Sequence, residues 1–307
     1  MSKKDVMTAI YLRDQNRFAD LINVHCFNGK AVIHPEDVQE MDSTQISAEK
    51  NGYSRRYQDL IRKVACRTQF ILIGVEEQSQ VDYAMPIRVM RYDAGRYEQQ
   101  LQDKRREHQK EKDLSEKEFL SGISREDSFL PVVTIVLYFG KHWDGARNLH
   151  ELLDMDKLPV EMRKFVVNYP LHLIEVGSYP YVDQFKTDLR LVFGFLQNAD
   201  NKEKLLKFVR QEREELSDLA EDAYDLISAF SEIEGLKKFK KKSQTGKERI
   251  NMFKALDDMI EDAREEGRDR LLREMIRKKL ERHNSIESIA QMLEIDVEMV
   301  EKIAKEL

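Results

Sequence analysis

The chain has 307 residues, enough for about two domains, with 35% charged and 41% hydrophobic residues and a net charge of −6. That balance excludes a disordered chain, and the lack of any apolar run of about 18 residues excludes a membrane-spanning helix. The acidic total argues against a protein that coats nucleic acid nonspecifically, while leaving room for a local basic groove. The opening MSKKDVMTAIYL has neither the apolar stretch nor the small-residue cleavage site of a signal peptide. Cys26 and Cys66 lack metal-type spacing, so two reduced thiols in a cytoplasm are expected.

Lys4 to Phe27 reads as helix. Asp14 or Asn16 can cap a second stretch in which Phe18, Leu21, Ile22 and His25 keep helical spacing. Asn28-Gly29 ends it. Pro35 and the polar Asp42 to Gly52 mark a loop region with room for a short strand between. Tyr57 to Cys66 and Phe70 to Gln78 then read as two strands, close enough in sequence for an antiparallel hairpin. Pro86 suits the first turn of a helix. Tyr83, Ile87, Met90, Ala94 and Tyr97, spaced four, three, four and three, form an apolar stripe for it. Gln99 to Ser128 is almost all charge and reads as a solvated helix extension or a mobile insert. Leu130 to Gly140 is apolar and β-branched, a second central strand. Strand, crossover helix and strand make a β-α-β unit, which favours a right-handed crossover and a mixed sheet with helices packed on it. Beyond His150 the chain looks mostly helical. Asn201 to Phe230 and Lys247 to Arg282 carry dense i,i+4 charge pairs, Lys237 to Lys242 is a basic linker, and two short helices capped by Ser285 and Asp296 follow.

The sharpest local signal is FILIGVEEQSQ, Phe70 to Gln80. Five apolar residues and one glycine turn abruptly into Glu76-Glu77-Gln78. A buried strand ending on two carboxylates and an amide needs compensation: a solvent edge, a basic partner such as Lys63, or a metal ion. If Arg67-Thr68 form a two-residue hairpin loop, Cys66 faces Gln69, and Asp59 faces Glu76 on the face that Gln78 shares. One more residue in the loop would break that register. Two such close carboxylates repel unless one is protonated or a cation lies between them. Hard oxygen donors suit Mg²⁺, which can polarise a phosphoryl oxygen and activate water. Glu77 alternates to the opposite face and is not expected to be a ligand.

FADLIN (Phe18 to Asn23), YQDLIRKV (Tyr57 to Val64), VEEQSQVDYAMPIRVMRY (Val75 to Tyr92) and LPVVTIVLYFGKHWDGARNLHELL (Leu130 to Leu153) together resemble the Rpn family of recombination-promoting nucleases, transposase-like proteins of the PD-(D/E)XK superfamily. The resemblance spans roughly the first half of the chain. It implies an α/β fold whose PD-(D/E)XK core has a mixed central sheet flanked by helices, followed by a helical C-terminal half. It also implies a Mg²⁺- or Mn²⁺-dependent DNA endonuclease linked to recombination or mobile elements. Asp59 and Glu76 would hold the metal, with Asp20 as an added acid on the first helices. Gln78 would stand at the usual Lys position of the motif and orient water or a phosphate. Arg88 and Arg91 would reach DNA phosphates or pair with the carboxylates. The alternative is a catalytically inactive nuclease-fold protein that binds DNA or a protein partner. The expected organisation is a core over residues 1–160 with its charged insert at 99–128, a helical extension over 161–245, and a long helix with a helical-hairpin tail over 246–307.

Elsewhere the signals are weaker. Seven scattered histidines without close pairing argue against zinc, and His25 on an apolar helix face reads as a core residue. His142 and Trp143 either line a cleft rim or close a turn. The glycine-rich nucleotide motifs and G-x-S-x-G are missing, so no nucleotide cofactor is expected. The C-terminal pair of helices has a helix-turn-helix rhythm, but Asp296, Glu298 and Glu301 on the second oppose phosphate approach. It reads as a packing or self-association element. Leu256, Ile260, Leu271 and Met275 on the preceding helix could join two copies.

Overall fold

Two helices come first among the described residues. The structure is a computed structural model that describes residues 3–41, 44–49, 52–57, 60–66, 69–236, 239 and 249–306. Helix α1 (Lys3–Tyr11) and helix α2 (Gln15–Phe27) are distinct because Asp14 caps the second, its side chain accepting the Arg17 N–H at 2.9 Å. α2 ends where Asn28 and Gly29 turn left-handed, at φ 52° and 77°. The apolar face read from the sequence is buried at Phe18, Leu21 and Ile22, and His25 is half-buried, its ring tilted against Tyr179.

The fold is α/β, built on a five-stranded mixed sheet. Its order is β1 (Val38–Glu40), β4 (Leu60–Cys66), β5 (Gln69–Gln78), β6 (Val132–Tyr138) and β7 (His172–Glu175). β1, β4 and β5 pair antiparallel, while β5, β6 and β7 run parallel. Helix α3 (Met85–Glu111) is the crossover between β5 and β6, with Pro86 in its first turn. In β5, Val75, Glu76 and Glu77 are all buried, as are Ile135, Val136 and Leu137 in β6. Consecutive buried residues mean that both faces of the central strands are covered.

Four sequence expectations need correction here. The polar stretch after Asp42 contains strands: β2 (Thr44–Glu49) pairs with β3 (Gly52–Tyr57) in a separate two-stranded ladder. Tyr57 therefore belongs to β3, and β4 begins at Leu60. β7 lies in a region that reads as mostly helical, because four residues carry too little pattern to announce a parallel strand. The stripe faces outward, with Tyr83 just before α3 and Ile87 and Tyr97 on it exposed, while Met85, Val89, Tyr92, Asp93 and Arg96 are buried. Both sets keep helical spacing. The sheet took the one whose members cluster with Val136, Tyr138, Trp143 and Leu171. Trp143 is thus core, not cleft rim.

The charged run continues α3 to Glu111, then forms a short helix, Glu116–Phe119. His108 ties the two ends of this segment together. Its Nδ1 lies 2.7 Å from Asp113 and its Nε2 2.8 Å from Asp127. Helices Leu189–Asn198, Lys202–Gln211 and Glu221–Phe230 follow.

The chain divides into two compact units, Met1–Glu232 with Lys247–Ile250, and Ile233–Gly246 with Asn251–Leu307. In the first, Arg249–Ile250 pairs with Leu219–Ala220 as a two-residue ladder. In the second, the long helix Met252–Glu281 precedes helices Ile286–Leu293 and Val297–Glu306. Ile276, Ile289, Ala290, Val300 and Ile303 form a small core there. Ser285 caps its helix as read from the sequence, accepting the Ser288 N–H. Most of Lys237 to Lys242 lies outside the described residues. No helix among the described residues is long and apolar enough to cross a membrane.

Candidate active site

The β4–β5 register is the one a two-residue loop dictates: Cys66 pairs with Gln69, and every pair follows it to Leu60 opposite Val75. Asp59 lies outside the described residues. The next residue of β5, Glu76, sits where three parallel strands end. It pairs with Val136 on β6, and Gln78 pairs with Tyr138, which in turn pairs with Glu175 on β7. The carboxyl end of parallel strands is where open α/β sheets gather their functional groups.

Glu76 is fully buried and α3 supplies its partners. Arg88 donates Nη2 to Glu76 Oε1, and the Tyr92 hydroxyl donates to the same oxygen at 3.2 Å. Arg88 also donates Nε to the Tyr92 oxygen at 3.0 Å and Nη1 to Asp82 Oδ2 at 3.2 Å. The three nitrogens of one guanidinium thus each donate to a different residue. Asp82 accepts the Ala84 N–H at 2.9 Å, fixing the entry to α3. Arg88 and Tyr92 are four apart on a helix, one turn, which is why both reach one carboxylate. Burial alone would lower the Arg88 pKa, but the charge of Glu76 and the bonds to Tyr92 and Asp82 carry it above the ordinary value. The Tyr92 phenol is pushed up by burial and by the Glu76 charge, against the pull of Arg88.

The other expected residues are distributed around this cluster. Gln78 is half-exposed at the strand end, and Arg91 is exposed on α3. Glu77 is buried and accepts the Ser79 hydroxyl at 2.8 Å. Asp20 is engaged elsewhere. Its Oδ2 accepts the N–H groups of Lys186 and Thr187, both at 2.8 Å, and the Thr187 hydroxyl at 2.7 Å. Among the described residues, no group of three or more His, Cys, Asp or Glu is disposed to hold a metal.

Sequence reasoning missed Tyr92 and the polar group beside it. Asp93, the next residue of α3, is buried and accepts the Thr134 hydroxyl of β6 at 2.5 Å and the Tyr169 hydroxyl. Burial raises the Asp93 pKa, while the two hydroxyls counter the shift. The spacing of Arg88 and Tyr92 was a usable signal. The contacts to Thr134 and Tyr169 span 41 and 76 residues and leave none.

Glu175, at the end of β7, accepts from the Trp143 N–H at 3.0 Å and from Arg147. Burial pushes its pKa up, but Arg147 and the Trp143 N–H hold it below the ordinary value. Two of the acids at the carboxyl edge of the sheet, Glu76 and Glu175, are thus each held by an arginine. An oxygen-rich edge of this kind can neutralise a cation, and its arginines can meet an anion.

No curated protein and no solved structure matches the chain. A family match covers residues 29–226, from the end of α2 through the sheet and into the helices beyond β7. The chain belongs to the transposase family described as "Putative transposase, YhgA-like".

Proposed function

We propose that this protein is a metal-dependent DNA endonuclease of the PD-(D/E)XK type, serving recombination or a mobile element. The observation that carries the reading is Glu76: a fully buried carboxylate at the end of a central parallel strand, held by a cation. A protein does not keep such a charge for stability alone, since an apolar residue would cost less there. The support for Asp59 as the second acid is its place in the sequence beside the hairpin: Leu60 pairs with Val75, and Asp59 precedes Leu60 as Glu76 follows Val75.

The donor set suits a hard divalent ion. Glu76 offers a carboxylate, Gln78 an amide oxygen, and Asp82 a second carboxylate on the same guanidinium. Asp59 and Glu76 would hold Mg²⁺ or Mn²⁺. Once bound, that ion supplies charge to a phosphoryl oxygen and acidifies a water. The chain's own groups do the rest. Tyr92 fixes the Glu76 carboxylate, Gln78 orients the attacking water or a phosphate oxygen, and Arg91 offers an exposed cation to the DNA backbone. Asp20 supports the corner at Lys186 and Thr187 rather than the ion. Leu271 and Met275, exposed on the long helix, are the residues through which a second copy would pack.

One observation favours a silent, DNA- or protein-binding member instead: Arg88 already neutralises Glu76. Conversion of supercoiled plasmid by the purified protein, with Mg²⁺ or with EDTA, separates the two. The nuclease reading expects nicking or linearisation only with metal, lost in Glu76→Ala and Asp59→Ala. A wild-type chain inert across divalent ions and salt concentrations refutes it and leaves the binding reading.

A further inference from the structure

Between β6 and β7 the chain leaves the sheet in an arm, Leu149 to Asn168, whose two ends are zipped together. Asn148 bridges Pro170, and the Leu149 N–H donates to the Tyr169 carbonyl at 2.9 Å. His150 donates its N–H to Asn168 Oδ1 at 3.0 Å, and its Nε2 lies 2.9 Å from the Val166 carbonyl. Within the arm are three short turns, Leu149–Leu152, Met155–Lys157 and Val160–Arg163. Arg163 ties them, donating Nε to the Leu158 carbonyl at 3.2 Å and Nη2 to the Asp156 carbonyl at 3.3 Å. The arm thus satisfies its backbone with its own side chains and holds one shape without a core. Its apolar side chains are left over. Leu152, Leu153, Val160, Met162, Phe165 and Val167 are all exposed, Val160, Phe165 and Val167 by 71%, 69% and 78%. Single exposed apolar residues are ordinary, but six on one short arm mark a contact surface.

We propose that the arm binds a second copy of this chain, packing on the same arm of that copy about a two-fold axis. Charge selects this occupant. Glu151, Asp154, Asp156 and Glu161 stand against Lys157, Arg163 and Lys164, so the arm offers no net attraction to a phosphate backbone or an anionic lipid surface. The acids lie mostly in its first half and the bases mostly in its second. A two-fold axis can therefore set the acidic half of one arm on the basic half of the other. The area fits as well. The six side chains present on the order of 500 Å² of apolar surface, the upper range of what a monomer leaves open. A standard interface takes about 800 Å² from each partner, so the arm supplies the apolar centre of one and its charges the rim. Because the arm is already held in shape, little ordering opposes the contact. This contact is separate from packing through Leu271 and Met275, and it stands whether or not the chain cleaves DNA.

The test is sedimentation equilibrium of the full chain, with folding checked by circular dichroism. The Leu271→Glu/Met275→Glu chain leaves only the arm contact, and its mass should still reach twice the 36.3 kDa of one copy. Adding Phe165→Glu and Val167→Glu should weaken that association at least about thirtyfold, because two charges would be buried unpaired. A second pair of variants carries the test if this one does not fold. Lys157→Glu/Lys164→Glu makes an acidic arm and Asp156→Lys/Glu161→Lys a basic one. Each alone should be monomeric, and the two mixed should pair. A Leu271→Glu/Met275→Glu chain that stays monomeric up to about 100 µM overturns the proposal, as does a dimer that the arm substitutions leave unchanged. Duplex-DNA binding, read by fluorescence anisotropy, covers the other occupant. A chain that is monomeric throughout and loses DNA binding with Phe165→Glu/Val167→Glu assigns the arm to DNA and refutes the contact between copies.

Discussion

Arg17 is the internal charge that most clearly holds the first unit together, and its loss has a calculable cost. The residue is 8% exposed on α2. It forks onto Asp188, Nε to Oδ1 at 2.7 Å and Nη2 to Oδ2 at 2.8 Å, and onto Asp222 at 2.5 and 3.0 Å. It also donates to the Tyr11 carbonyl at 3.1 Å and lies 4.1 Å from that ring's centroid. α1, α2, the start of Leu189–Asn198 and that of Glu221–Phe230 thus meet at one guanidinium. Arg17→Met keeps the aliphatic bulk and leaves two carboxylates facing each other. Breaking a buried pair costs about 3–5 kcal/mol. The aspartate side chains are 21% and 33% exposed, so water recovers part of this and the lower end, about 3 kcal/mol, applies. For a unit of this size that is a fall in melting temperature of about 6–12 °C. Thermal unfolding by circular dichroism reads it directly. Arg17→Met with Asp188→Asn and Asp222→Asn should recover much of the loss, because the stranded charges go as well. A single variant losing under about 1 kcal/mol, or a triple no better than the single, would refute the account.

Two further outcomes follow from the packing around α3. Asp93→Ala strands the Thr134 and Tyr169 hydroxyls and should cost about 2 kcal/mol or more in chemical denaturation, while Asp93→Asn, which keeps an acceptor, should cost under about 1 kcal/mol; equal losses would refute the hydrogen-bond account. His108 is raised above its ordinary 6.5 by its bonds to Asp113 and then Asp127, and both aspartates are lowered by His108. The histidine contribution is full below 6.5 and fades as pH rises through its raised value, whereas the aspartate contribution is lost as pH falls through their depressed values. Amide exchange over residues 108–127 should therefore be slowest between those limits, and a His108 that titrates at or below 6.5 by NMR would sink the idea.

How much of this was legible in the sequence depended on distance along the chain. The α2 cap, the β4–β5 register, the crossover helix and β6 were all readable, because each is written in residues a few places apart. β7 was not: its burial comes from a non-local parallel partner, and four residues cannot carry a period. The α3 stripe misled because two helical faces competed and only the sheet could choose between them. At the site, Glu76 stood out as a charge at the end of an apolar run. Arg88 offered two roles, carboxylate or phosphate partner, and the fold places it on the carboxylate. The partners of Asp93 lie too far away in sequence for any local pattern to reveal them.

The two-residue ladder between Leu219–Ala220 and Arg249–Ile250 has a practical consequence for anyone dissecting the chain. Its second strand comes from beyond the point at which the chain first leaves the unit, at Glu232, and the chain departs again at Asn251. A fragment ending at 232 would lose that strand and the Arg249 guanidinium that donates to the Asp218 carbonyl at 2.9 Å, exposing a raw backbone edge. A fragment ending at 250 would keep both. The natural cut for isolating the sheet-bearing unit lies eighteen residues later than the first exit of the chain suggests.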